Sequence, residues 1–137
     1  IALHNLPEGM VIGASYAADL AEAGEDGRMM ALVIGLHNIP EGMAVAVPLA
    51  AGGASRGRAV LTTAAAGAPT VLGAVLGFCL GTMGPGLQML TLGGASGAML
   101  YVVFGELLPE SFRLCRSPAP VMAAVLGVLT GMGVVLG

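Results

Sequence analysis

The 137 residues are 56% hydrophobic and 9% charged, with a formal net charge of -3 from eight acidic residues against five arginines and no lysine. Soluble domains carry about 25% charged residues, so this composition excludes a disordered segment, a secreted disulfide scaffold and an ordinary cytosolic enzyme. Five scattered arginines are too few for nucleic acid, while 23 glycines and nine methionines without tryptophan favour close-packed membrane helices over a β-barrel.

A helix crossing a bilayer needs about 20 mostly apolar residues, and five stretches meet that length, at about 1–19, 29–51, 59–80, 90–112 and 119–137. Helices are required because lipid leaves an open backbone unsatisfied. The predicted fold is an all-α, polytopic membrane bundle, with one transmembrane domain of five spans. The first stretch lacks the basic n-region of a signal peptide and already carries a motif, so the chain reads as the C-terminal portion of a longer protein. Between the spans lie Gly24-Glu25-Asp26-Gly27, Gly52-Gly53, Gly84-Pro85-Gly86 and Ser117-Pro118, all helix breakers. Charge sorts by connector. The first holds Asp19, Glu22, Glu25 and Asp26 with Arg28 as the lone cation, the second holds Arg56 and Arg58, the third holds none, and the fourth holds Arg113 and Arg116. The positive-inside rule then puts the second and fourth connectors in the cytoplasm, so the first span starts inside and the last ends outside. Cys79 and Cys115 stand alone, without CxxC or Cys/His spacing, and are expected as buried or interfacial thiols.

The chain repeats itself once. Ile1-Ala-Leu-His-Asn-Leu-Pro-Glu-Gly-Met10 returns as Ile34-Gly-Leu-His-Asn-Ile-Pro-Glu-Gly-Met43. Consecutive spans run antiparallel, so the two copies face each other as in the inverted repeats that build midplane sites. Both copies put polar groups where hydrocarbon should exclude them: His4, Asn5 and Glu8, then His37, Asn38 and Glu41. A charged group at a helix centre costs about 2.5–3.5 kcal/mol on insertion scales, so the repeated pattern calls for a compensating partner. His4 and Glu8 are four residues apart and share a helical face with Asn5, and the second copy repeats this spacing. Pro7 and Pro40 each remove an N–H and crowd the carbonyl four residues back, on Leu3 and Leu36, which is expected to kink the helix and free an oxygen. Two imidazoles, two amides and two carboxylates carry a formal charge of -2 when the histidines are neutral, which one divalent cation cancels. Mixed nitrogen and oxygen ligands without thiolate suit Zn²⁺, with Fe²⁺, Mn²⁺ and Cd²⁺ as alternatives, and argue against Mg²⁺, Ca²⁺ and Cu(I). Protonation of these ligands would compete with the metal. The plainer alternative is a pair of His–Glu contacts that hold two helices together.

HNLPEGM and HNIPEGMAVAVPL resemble the paired metal-binding helices of the ZIP (Zrt/Irt-like) transporters, above all their bacterial-type branch. The resemblance implies eight membrane helices, of which this chain would supply the fourth to the eighth, and movement of zinc and related divalent metals into the cytoplasm. It implies His4, Asn5 and Glu8 as fourth-helix ligands and His37, Asn38 and Glu41 as fifth-helix ligands, with Glu8 and Glu41 able to bridge two metals. Many relatives place a glutamate before a proline in the next helix. Here that region reads Gly67-Ala-Pro-Thr-Val-Leu-Gly-Ala74, with Thr63 and Thr70 as the nearest polar side chains, so one or two bound ions remain open. Gly105-Glu-Leu-Leu-Pro-Glu-Ser111 resembles the seventh-helix signature, which implies a place for Glu106 on the transport pathway, while Glu110 is expected to pair with Arg113 three residues on.

The expected function is therefore transmembrane transport of divalent metal, with zinc as substrate rather than prosthetic group, in a multi-pass protein of the cell (plasma or inner) membrane. The expected partners are the metal and the bilayer, and no nucleic acid. Small-residue runs at Gly93–Ala98 and at Gly127 and Gly131 are expected to let helices approach closely, and a homodimer is one setting for such contact. Two alternatives stand beside transport. An intramembrane metal-dependent hydrolase would use metal-bound water as nucleophile, but with all six polar residues acting as ligands it lacks a separate general base. A structural membrane subunit would need the repeat to be a packing device.

Overall fold

The computed structural model describes residues 4–136, and among these every regular element is a helix. Residues 1–3 lie outside the described residues, and with them the start of the first predicted span and the Leu3 carbonyl. So does Gly137, at the end of the last span.

Helix α1 spans Asn5–Glu22. Pro7 therefore sits in its first described turn, where a missing N–H costs little. The helix ends at Ala23, which adopts the left-handed conformation (φ 52). Helix α2, Asp26–Ala51, follows after a turn so short that the end of α1 caps it. The Asp19 carboxylate accepts from the backbone N–H of Asp26 (2.9 Å) and of Gly27 (2.8 Å), satisfying donors that a helix N-terminus leaves open. Gly27 is needed at this point, because a Cβ there would lie 2.7 Å from the Tyr16 ring. Helix α3, Arg56–Thr82, starts from an N-cap at Ser55, whose side chain accepts from Arg58 N–H at 3.4 Å. Helix α4 is Pro85–Tyr101, with proline at the first position where it is pre-organised.

The chain then widens into a π-helical segment, Val102–Leu107, before α5, Leu108–Leu114. Pro109 supplies the reason. It withholds the N–H that would bond to Gly105 and crowds that carbonyl, and a wider turn answers, with Leu108 N–H bonding five residues back to Val103. Helix α6 is Ala119–Leu136.

Three of these helical stretches are long and apolar enough to cross a membrane: Asp26–Ala51, Arg56–Thr82 and the continuous Pro85–Leu114. Ala119–Val134 is apolar but shorter. Helix α1 is not among the three, because its 18 residues carry Glu8, Asp19 and Glu22. By length and composition the five predicted spans thus become three candidates, a shorter apolar helix and a more polar α1.

The chain divides into two compact units, one running through Met99 and the other from Leu100. In the first, α1 and α3 lie side by side in parallel. A Cβ on Gly9 would strike the backbone of Thr70 and Ala74, and one on Gly13 would strike Ala74 and Phe78. From the other side, Gly73 abuts the Leu6 and Met10 backbone, and Gly77 abuts Met10. Small residues four apart on both helices let the two backbones touch. Helix α2 packs antiparallel to both, with Gly42 against Thr63. Apart from Ile34, what is buried among the described residues is small or polar (Ala14, Ala17, Ala59, Asn5, Glu8 and Ser15 among them), whereas Leu32, Leu36, Val47, Leu61 and Leu72 are each more than half exposed. Water would not sustain that reversal, but lipid does, since tails are as apolar as leucine.

Two expectations about packing change. Among the described residues, a Cβ on Gly93, Gly94, Gly97, Gly127 or Gly131 would meet open space, so close approach within this chain is carried by other glycines. Cys79 and Cys115 are both exposed free thiols rather than buried ones.

Candidate metal centre

The two copies of the repeat occupy unlike places. The first opens α1, while the second lies in mid-α2, which runs on through Pro40 and Pro48. Pro40 still deprives the Leu36 carbonyl of its usual donor. The α1–α2 hairpin register, fixed at the turn by Asp19 and Gly27, carries Glu8 to the level of His37. His37 Nε2 lies 3.7 Å from Glu8 Oε1, too far for a hydrogen bond. Glu41, one turn beyond His37, joins them: one ligand atom from each of Glu8, His37 and Glu41 lies within 4.8 Å of the other two. Two ligands held about 2.1 Å from a tetrahedral ion sit roughly 3.4 Å apart, so the His37–Glu8 spacing is close to what a cation between them requires.

Electrostatics point the same way. The Glu8 side chain is 5% exposed, against 63% for His37, so Glu8 forms the floor of the cluster and His37 its open side. Glu8 Oε2 is buried without a hydrogen-bond partner among the described residues. A buried carboxylate oxygen left unsatisfied is costly, and a cation shared with Glu41 and His37 would relieve it.

The remaining predicted residues have separate places. Asn5 is buried, and its Nδ2 donates to the Ala66 carbonyl of α3 at 2.8 Å. Asn5, Asn38, Glu41 and Thr63 line a cavity of about 110 Å³ between α1, α2 and α3. His4 is half-buried at the N-cap of α1, outside the three-residue cluster. Glu106 is exposed on the π-helical segment of the second unit. Glu110 pairs with Arg113 at 3.4 Å, as their spacing predicts. Two further features hold the site, the Asp19 cap and the glycine seam of α1 and α3; of these, Gly9 marks itself in the sequence as a point where a second backbone can approach, whereas the cap and the pairing of Gly9 with α3 do not. The signal for the seam was present in Gly9-x-x-x-Gly13 and Gly73-x-x-x-Gly77-x-x-x-Gly81.

The model of the Zip family, described as ZIP zinc transporter, matches residues 1–137. The chain belongs to the ZIP zinc transporter family. Among curated relatives, the zinc transporter GufA of Myxococcus xanthus is 44% identical over 111 residues, covering 81% of this chain and 42% of that protein. The zinc transporter ZIPB of Bordetella bronchiseptica is 37% identical over 137 residues, covering 99% of this chain and 42% of that protein. This ZIP chain thus spans less than half the length of either relative. No solved structure matches it significantly.

Proposed function

We propose that the protein carrying this chain moves divalent metal ions, zinc foremost, across a membrane, and that Glu8, His37 and Glu41 hold the ion on its way. The observation that carries this reading is the convergence of those three side chains, from two antiparallel helices, one of them a buried carboxylate with an unsatisfied oxygen. Family membership supports the substrate class, as do the names of the two zinc-transporter relatives. Formal charge supports a divalent ion: two carboxylates and a neutral imidazole are balanced by one +2 charge, which lowers the cost of burial in a bilayer.

His4, Asn5 and Asn38 belong to the same reading as neighbours of the trio. The antiparallel register that brings Glu8 to His37 also aligns residue 4 with residue 41, which keeps His4 beside the trio. Five membrane crossings in this chain, of eight in all, accommodate the helices, with α1 shielded by α2 and α3. Arg56 and Arg58 after α2, and Arg113 and Arg116 around the end of α5, mark cytoplasmic connectors, and delivery of the ion inward is what the resemblance to the family implies. Glu106 belongs to the later pathway. The π-helical turn that carries it is of a kind frequent at functional sites. The membrane is the cell (plasma or inner) membrane, and a homodimer is one assembly open to the protein.

The test is metal flux into liposomes holding the whole protein, wild type beside the Glu8→Gln/Glu41→Gln double variant. The expected result is Zn²⁺ uptake that the double variant lowers at least tenfold. Equal uptake by both proteins would remove the site from the pathway.

A further inference from the structure

Resting on the reading above, the geometry points to the Asn5–Asn38 cavity as a water compartment of the metal site: it takes water bound to a single divalent ion, and not a second ion. The cavity of about 110 Å³ shares Glu41 with the metal cluster and is lined beyond it by Asn5, Asn38 and Thr63 as its polar side chains. Two amide oxygens, Asn5 Oδ1 and Asn38 Oδ1, are buried with no hydrogen-bond partner among the described residues. For Asn5, 4% exposed, the orientation is fixed, because its Nδ2 is committed to the Ala66 carbonyl at 2.8 Å and the oxygen must be the end left over. Thr63 does not supply the missing donor, because its hydroxyl already donates to the Ala59 carbonyl at 2.8 Å. Two orphan acceptors beside a cavity require donors to enter it.

Charge decides which donors. The carboxylates of Glu8 and Glu41 are balanced by one divalent ion, and Asn5, Asn38 and Thr63 add no charge. A second divalent ion would bring two uncompensated positive charges into the bundle, where unpaired charge is heavily penalised. Water is neutral, and a cavity of this size holds about three molecules at roughly 30 Å³ each. Glu8, His37 and Glu41 leave coordination positions open on a zinc-sized ion, as sites with three protein ligands do. A water in such a position is polarised by the ion into a strong donor, aimed at acceptors only. Asn5 and Asn38 are therefore positioning residues that act on the ion through its water. The ion stays partly hydrated, which suits one that must be released again.

The test uses the whole protein in detergent, with two readouts. Metal stoichiometry at saturating Zn²⁺ should be one ion per chain. Electron-nuclear double resonance on the Mn²⁺-loaded protein in ¹⁷O-enriched water should reveal exchangeable water on the ion. Asn5→Leu, which removes the acceptor and fills space, should keep one ion and lose most of that water signal. The near-isosteric Asn38→Asp, which adds one of the two missing negative charges and a carboxylate ligand, should raise the stoichiometry above one. Two ions in the wild type, or one ion carrying no exchangeable water, would overturn this inference while leaving the metal reading intact. No bound ion in the wild type would overturn both.

Discussion

Glu8 and Asp19 are both acids on α1, and the structure gives them opposite tasks. Glu8 is buried with one oxygen unsatisfied, a condition that a cation relieves. Asp19 is already satisfied by the backbone donors of Asp26 and Gly27, a condition that serves the fold. Replacing Asp19 with alanine should therefore cost about 1 kcal/mol, the usual loss for a helix cap, while leaving metal stoichiometry unchanged. Asp19→Asn, which keeps an acceptor, should lose less. Thermal unfolding in detergent beside a zinc titration measures both effects. A stable Asp19→Ala protein that no longer binds zinc would contradict this division of labour. The residue types of the site were legible in the sequence, since polar groups repeated inside apolar runs must share a partner to be tolerated there. Which of the six would converge was not legible. Both copies carry the same letters, and only the hairpin register sets Glu8 beside His37.

At the scale of the helix, what holds the site is a seam of glycines. Gly9 and Gly13 on α1 meet the α3 backbone, as Gly73 and Gly77 on α3 meet that of α1. No larger side chain fits between them. Gly77→Leu should push α1 away from α3, destabilising the bundle by about 1–3 kcal/mol as overpacking does, and should weaken zinc binding, because Asn5 and Glu8 ride on α1. Gly93→Ala, in open space, should shift stability by less than about 1 kcal/mol and leave binding intact. Denaturant unfolding and zinc titration of the two variants check this pair, and equal effects would refute the seam. In the sequence, runs such as Gly93-Gly94-Ala95-Ser96-Gly97-Ala98 drew attention by density, yet the seam is built on spacing, with one glycine per four residues on two helices far apart in the chain. Spacing could be seen on each helix alone. The pairing of α1 with α3, across the whole of α2, could not. Pro109 shows a similar limit: its disruption of the helix was foreseeable, but the π-helical turn that absorbs it depends on which neighbouring donor moves.

Across the whole molecule, the distribution of polarity explains both fold and function. Most large apolar side chains face outward, small residues bring the backbones of α1 and α3 together, and the buried Asn5 and Glu8 lie where α1 meets α2 and α3. The all-helical class was legible from composition alone, because so few charges over so many apolar residues leave little else. The number of crossings was less so, since α1 mixes membrane-like length with three acidic residues and its apolarity is judged only beside its neighbours. That Glu8, His37 and Glu41 hold the metal is tested most directly by anomalous scattering at the zinc absorption edge, from crystals of the whole protein grown with Zn²⁺. The expected result is a peak about 2.1 Å from ligand atoms of all three residues. Strong zinc peaks elsewhere, with none between α1 and α2, would contradict it.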